Sequence, residues 1–106
     1  MSHHIFSTEI AEKIGLVEAI LLSQIIFCID THKANKENFH KGRYWTYSSI
    51  QEFSEFFKYL SQQQITRALK RLVDNGYLIK DNFNTNPFDR TSWYALSDKF
   101  ISEFEK

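Results

Sequence analysis

The sequence predicts a small α+β domain, mostly helical, in which a helix-turn-helix is followed by strands of a small three-stranded antiparallel sheet. Three observations carry that prediction. The stretch from Leu60 to Gly76 (LSQQQITRALKRLVDNG) reads as one fully punctuated amphipathic helix. At Gly76 the apolar period changes from helical to alternating, the mark of a passage from helix to half-buried strand. Only three Gly and one Pro interrupt the chain, too few turn formers for a many-turned β-sandwich.

Taken in order, Ser7 can cap a first helix over 8–14, ended by Gly15. A second helix is predicted over 16–32 and is apolar on most of its circumference, as befits a helix central to a small core or covered by a partner. The polar run Lys33 to Gly42 (KANKENFHKG) reads as a loop, and the β-prone RYWTY as a strand over 43–47. Ser48 and Ser49 both offer caps, with Gln51 and Glu52 at the matching capping-box spacing, for a third helix over 48–57 whose Ile50, Phe53, Phe56 and Phe57 should face inward.

A tight Lys58-Tyr59-Leu60 connection leads to the fourth helix, 61–75. Ser61 and Gln64 form its capping box, and Ile65, Ala68, Leu69 and Leu72 share its buried face. Two helices joined so closely, the second with an amide-and-cation face, form a helix-turn-helix pattern. Strands over 77–81 and 90–96 then make a hairpin, its tip (NFNTNPFD) rich in turn formers, and a last helix spans 98–105. Phe83 and Phe88 are expected to staple the tip together. Trp45, Tyr47, Trp93 and Tyr94 are expected to be core and cross-strand pairs, not a platform for single-stranded nucleic acid.

The length of 106 residues suits one domain, 1–106, with a single core. Thirteen basic and thirteen acidic residues cancel, which argues against indiscriminate coating of nucleic acid and leaves room for one basic face. The single cysteine, Cys28, cannot form an internal disulfide and fits a reducing compartment. Met1 to His4 lacks the features of a secretory leader, and the most apolar run, Leu16 to Ile29, is too short to span a bilayer. A cytoplasmic, membrane-free protein is expected. Cys28, His32 and His40 lack a fourth partner for a zinc site, so no metal or other cofactor is expected. No glycine-rich phosphate loop, HExxH or GxSxG occurs, so no enzyme is expected either.

The exposed face of the fourth helix carries the candidate site. Ser61, Gln62, Gln63, Thr66, Arg67, Lys70 and the flanking Arg71 combine amides, hydroxyls and cations that suit base edges and phosphates. Lys80, Asn82, Asn84, Asn86 and Arg90 on the hairpin would lie beside them on the backbone or in a minor groove. The same residues also suit plain solvent.

The order of elements is the winged-helix topology, and three pieces of sequence narrow it further. IGLVEAILLSQI (Ile14 to Ile25), GRYWTYSSIQEFSEFF (Gly42 to Phe57) and the run from ITRALKRLVDNGYLI through NFN to DRTSWYAL together cover most of residues 5 to 97. In them the chain resembles the winged-helix domains at the N-terminus of phage and plasmid replication initiators and replisome organisers. The resemblance implies sequence-specific binding of double-stranded DNA in replication initiation or transcription control, with helix 61–75 in the major groove and a wing at 82–90. Such initiators usually continue into a further domain, whereas this sequence ends at Lys106, so helicase loading is not carried over. The rival expectation is a small winged-helix protein of a mobile element that binds and inhibits a host protein or defence nuclease. A homodimer through the 16–29 helix, and through Phe100, Ile101 and Phe104, is expected under either.

Overall fold

A computed structural model describes residues 6–89 and 91–104. The elements run α1 (Thr8–Lys13), α2 (Leu16–Ala34), β1 (Phe39–His40), β2 (Arg43–Tyr44), β3 (Thr46–Ser48), α3 (Ile50–Phe56), α4 (Gln62–Asp74), β4 (Leu78–Asp81), β5 (Ser92–Leu96) and α5 (Asp98–Phe104). Among the described residues it is a small α+β architecture of five helices and two antiparallel sheets, one of two strands and one of three, compatible with a winged helix.

Local signals set most helix ends. The Ser61 hydroxyl accepts from the Gln64 amide at 3.0 Å while the Gln64 side chain accepts from the Ser61 amide at 2.9 Å, closing the predicted capping box. Of the two serines offered for α3, Ser49 is the cap, boxed with Glu52. At the far end of α4, Gly76 takes φ +80° and the Tyr77 amide donates to the Leu72 carbonyl, a left-handed closure open to glycine at little cost. Ser97 caps α5 through the Phe100 amide.

The main core gathers around α2. Ala19, Leu21, Leu22 and Ile25 are fully enclosed by α1, α4 and the inner sheet face, together with Phe53, Phe57 and all four predicted buried residues of α4. Phe56 departs from expectation and is exposed, since one turn beyond Phe53 it points past the edge of the core. Helix α2 also leaves Leu16 and Phe27 in the open, at 56% and 66% exposure. Among the described residues no helix is long and apolar enough to cross a membrane.

Two departures lie in the strands. The polar run 33–42, read as a loop, holds the end of α2 and one arm of a hairpin in which Phe39 pairs with Tyr44 and His40 with Arg43. Lys36, Asn38 and Lys41 adopt left-handed backbone there, a conformation that no composition rule assigns to lysine. The predicted strand 43–47 is therefore split at Trp45: β2 belongs to the hairpin, β3 to the larger sheet. That sheet has the order β3-β5-β4, with Tyr47 opposite Trp93 and Lys80 opposite Tyr94. The last strand is described from Ser92, so Arg90, and residue 105 of the last helix, fall outside the described residues.

The sheet is buried on both faces. Leu78, Tyr94 and Leu96 face the helices, whereas Trp45, Trp93 and Ala95 form a second, smaller core on the outer side with Ile79 and Phe83. The β1–β2 hairpin folds over this outer face. The Trp45 indole donates to the His40 carbonyl at 2.8 Å, and the His40 ring stacks on Phe83 at 4.3 Å. Lys41 adds a 2.7 Å ion pair to the half-buried Asp81, and its hydrogen bond holds that carboxyl below its usual range.

Candidate nucleic-acid interface

Helical spacing sets the exposed face of α4. With Ile65, Ala68, Leu69 and Leu72 buried, Gln63, Arg67, Lys70 and Asp74 point directly outward, and Thr66 and Val73 lie on the edge nearer the sheet. Strand alternation puts Lys80, Ser92 and Tyr94 on the helix-facing side of β4 and β5. Between them runs a groove of about 430 Å³ lined by Thr66, Leu69, Lys70, Val73, Asp74, Lys80, Ser92, Tyr94 and Ile50. A second hollow of about 290 Å³ continues it through the shared Ile50, Ser92 and Tyr94 to Ser48, Ser49 and Thr91. Helix α4, the start of α3 and the β4–β5 hairpin thus line one concave surface rich in hydroxyls. The serines and Thr91 were not singled out from sequence, where Ser48 and Ser49 read only as caps; the period-2 pattern of β5 is the signal that places Ser92 beside Tyr94 and not beside Trp93.

The predicted site residues fall into three groups. Gln62, Gln63, Thr66, Arg67, Lys70 and Lys80 are exposed. Among the described residues Arg67 and Lys80 enter no ion pair, while Lys70 holds Asp74 at 2.7 Å, so an incoming anion must compete with Asp74 for it. Ser61 is exposed too, but its hydroxyl is occupied by the capping box.

Arg71 is exposed as well, but its guanidinium is tied to the helices behind α4. Its Nη1 donates to Glu18 Oε1 at 3.0 Å and its Nη2 to the Ile14 carbonyl at 3.3 Å, clamping α4 to the α1–α2 junction. Glu18 is 5% exposed, in the first turn of α2. Gly15 makes room for it. At φ +135° it occupies backbone that side chains rarely adopt, and a Cβ there would stand 2.7 Å from the Glu18 carboxylate. The Gly-x-x-Glu spacing at the head of α2 is therefore a packing device, and Arg71 is its partner.

Of the tip asparagines, Asn84 is half-buried and bonded across the loop, whereas Asn82 and Asn86 are exposed and each accepts the amide two residues on. Asn84 donates to the carbonyls of Asp89 and Thr91 and accepts from the Trp93 indole at 2.8 Å. Asn82 accepts from the Asn84 amide, Asn86 from the Phe88 amide, and Asp89 from the Thr91 amide, which holds the Asp89 carboxyl below its ordinary range. These bonds, with Phe83 packed on Trp45 and Trp93, do the stapling expected of both phenylalanines. Phe88 takes no part in it and is 88% exposed. Arg90 lies outside the described residues.

Cys28 accepts a hydrogen bond from Gln24, and burial raises its thiol pKa, with hydrogen bonds to Thr46 and Gln24 opposing the rise. Among the described residues no three His, Cys, Asp or Glu side chains gather as a metal-ligand set. His32 instead contacts Glu37 at 2.8 Å and Thr46 at 3.4 Å.

The chain matches no protein-family model, no curated protein and no solved structure. The geometry of this surface is what bears on function.

Proposed function

We propose that the chain is a winged-helix domain that binds double-stranded DNA sequence-specifically, in replication initiation or transcription control of a phage or plasmid. On this reading α4 lies in the major groove, and the β4–β5 hairpin with its 82–90 tip is the wing. The observation that carries it is the continuous concave surface of α4, the start of α3 and the hairpin, which sets Lys70 and Lys80 on opposite walls with hydroxyls between them. Such a surface can grip a phosphate strand from two sides while Gln63 and Arg67 on the outward face of α4, and Thr66 on its edge, reach base edges. The zero net charge leaves little non-specific attraction, so discrimination must come from those base-edge interactions.

Titration of labelled random and candidate-operator duplexes at a series of salt concentrations tests this. The parent chain binds more weakly as salt rises. The double variant Lys70→Ala, Lys80→Ala weakens every duplex and lowers the salt slope by about two, one for each phosphate that is no longer neutralised. No salt-sensitive binding at low ionic strength, or a double variant that binds as the parent does, would sink the proposal.

A second reading, binding of a host protein, is favoured by the neutral charge and by Phe27 and Leu16 standing exposed on α2. The same two side chains motivate a homodimer through α2, with α5 contributing Ile101. Light scattering at high micromolar concentration should then give twice the chain mass, and a monomer there would rule the homodimer out.

A further inference from the structure

The proposed DNA reading accounts for the cations but leaves Phe88, the most exposed large apolar side chain among those described. A solitary exposed aromatic is ordinary on a floppy loop. Here the loop is held on both sides of it. The Phe88 amide is tied to Asn86 Oδ1 at 2.9 Å, the Asp89 amide to the Asn86 carbonyl at 3.0 Å, and Asn84 bridges to Asp89, Thr91 and Trp93 behind. Pro87 fixes the preceding φ. Asn84 is thus turned inward, while Asn82, Thr85, Asn86 and Asp89 stay exposed beside an apolar ring that the tied backbone holds out in solvent.

We infer that Phe88 is an apolar wedge that enters the minor groove beside the α4 site and pushes between two stacked base pairs. This inference rests on the DNA-binding reading and adds an apolar insertion to it. The placement favours a nucleic acid over an apolar protein pocket. The loop leaves the sheet at the Asp81 and Ser92 end, where Lys80 and Ser92 line the concave surface, so a cation stands at the root of the loop that carries the ring. Apolar side chains advanced from a rigid support into the minor groove, with cations behind them, unstack a base step and kink the duplex. The kink in turn wraps the duplex toward the cations. Flexible pyrimidine–purine steps deform most easily and would be preferred at the wedge position, a selectivity that needs no hydrogen bond to a base.

The test uses the full chain and an A·T-rich duplex carrying 2-aminopurine at a central step, with circular dichroism as the control for folding. The parent chain should raise 2-aminopurine fluorescence on binding, as the probe unstacks. Phe88→Ala should abolish that rise and weaken binding about tenfold or more, with the salt slope unchanged because every phosphate stays neutralised as before. Phe88→Leu, still an apolar wedge, should keep most of the fluorescence rise. Parent-like fluorescence and affinity in Phe88→Ala overturns the wedge while leaving the DNA reading intact. A parent chain that shows no salt-sensitive binding removes both.

Discussion

Trp45→Ala should lower the stability of this domain by about 3–5 kcal/mol, the range for truncating a buried aromatic. Trp45 is 2% exposed and joins Trp93 and Ala95 in the outer core. Truncation opens a cavity that its neighbours cannot close, because Phe83, in edge contact with Trp45, is itself held in place by the His40 ring stacked on it. It also strips the His40 carbonyl of its 2.8 Å indole donor, which loosens the β1–β2 hairpin. Trp45→Phe keeps most of the apolar volume and should cost less than half as much. Denaturant unfolding followed by far-UV circular dichroism measures both. A loss below about 1 kcal/mol in Trp45→Ala would mean that the outer face is not a core.

Arg71→Ala should cost about 2–4 kcal/mol. Removing one partner of a buried ion pair typically costs about 3–5 kcal/mol, because the other charge stays behind unpaired. The lower range applies here because Arg71 itself keeps contact with solvent, with a side chain 59% exposed against 6% for Glu18. The Ile14 carbonyl loses its guanidinium donor as well. Replacing both partners by apolar residues, Glu18→Leu with Arg71→Met, should recover much of the loss, since no charge is then left in the interior. The single variant separates two roles for this residue. A phosphate-binding role would give Arg71→Ala weaker DNA binding at unchanged stability. The clamp gives a lower melting temperature, and unchanged stability in Arg71→Ala would refute it.

Much of this molecule is legible in its sequence. Capping boxes, the apolar stripe of α4, the glycine that ends it and the alternation of the two hairpin strands act over a few residues, so spacing alone identifies them. The same spacing shows which α4 side chains face outward, and with them Gln63, Thr66, Arg67 and Lys70 as candidates. What the tertiary structure decided concerns groups far apart along the chain. Arg71 has the helical position of a surface cation, and only the approach of α2 brings it a carboxylate 53 residues away. Asn84 has the composition of a wing that touches solvent or DNA, yet its side chain is taken up by two carbonyls and an indole across the loop. Strand β1 forms from a run with no strand signature, because an outer apolar face of the sheet needs covering and three non-glycine residues accept left-handed backbone to cover it. Phe83 and Phe88 are indistinguishable in composition. One fits the space beneath Trp45 and the other stands in solvent, a difference that depends on where the asparagine bonds set the loop and not on the residue type.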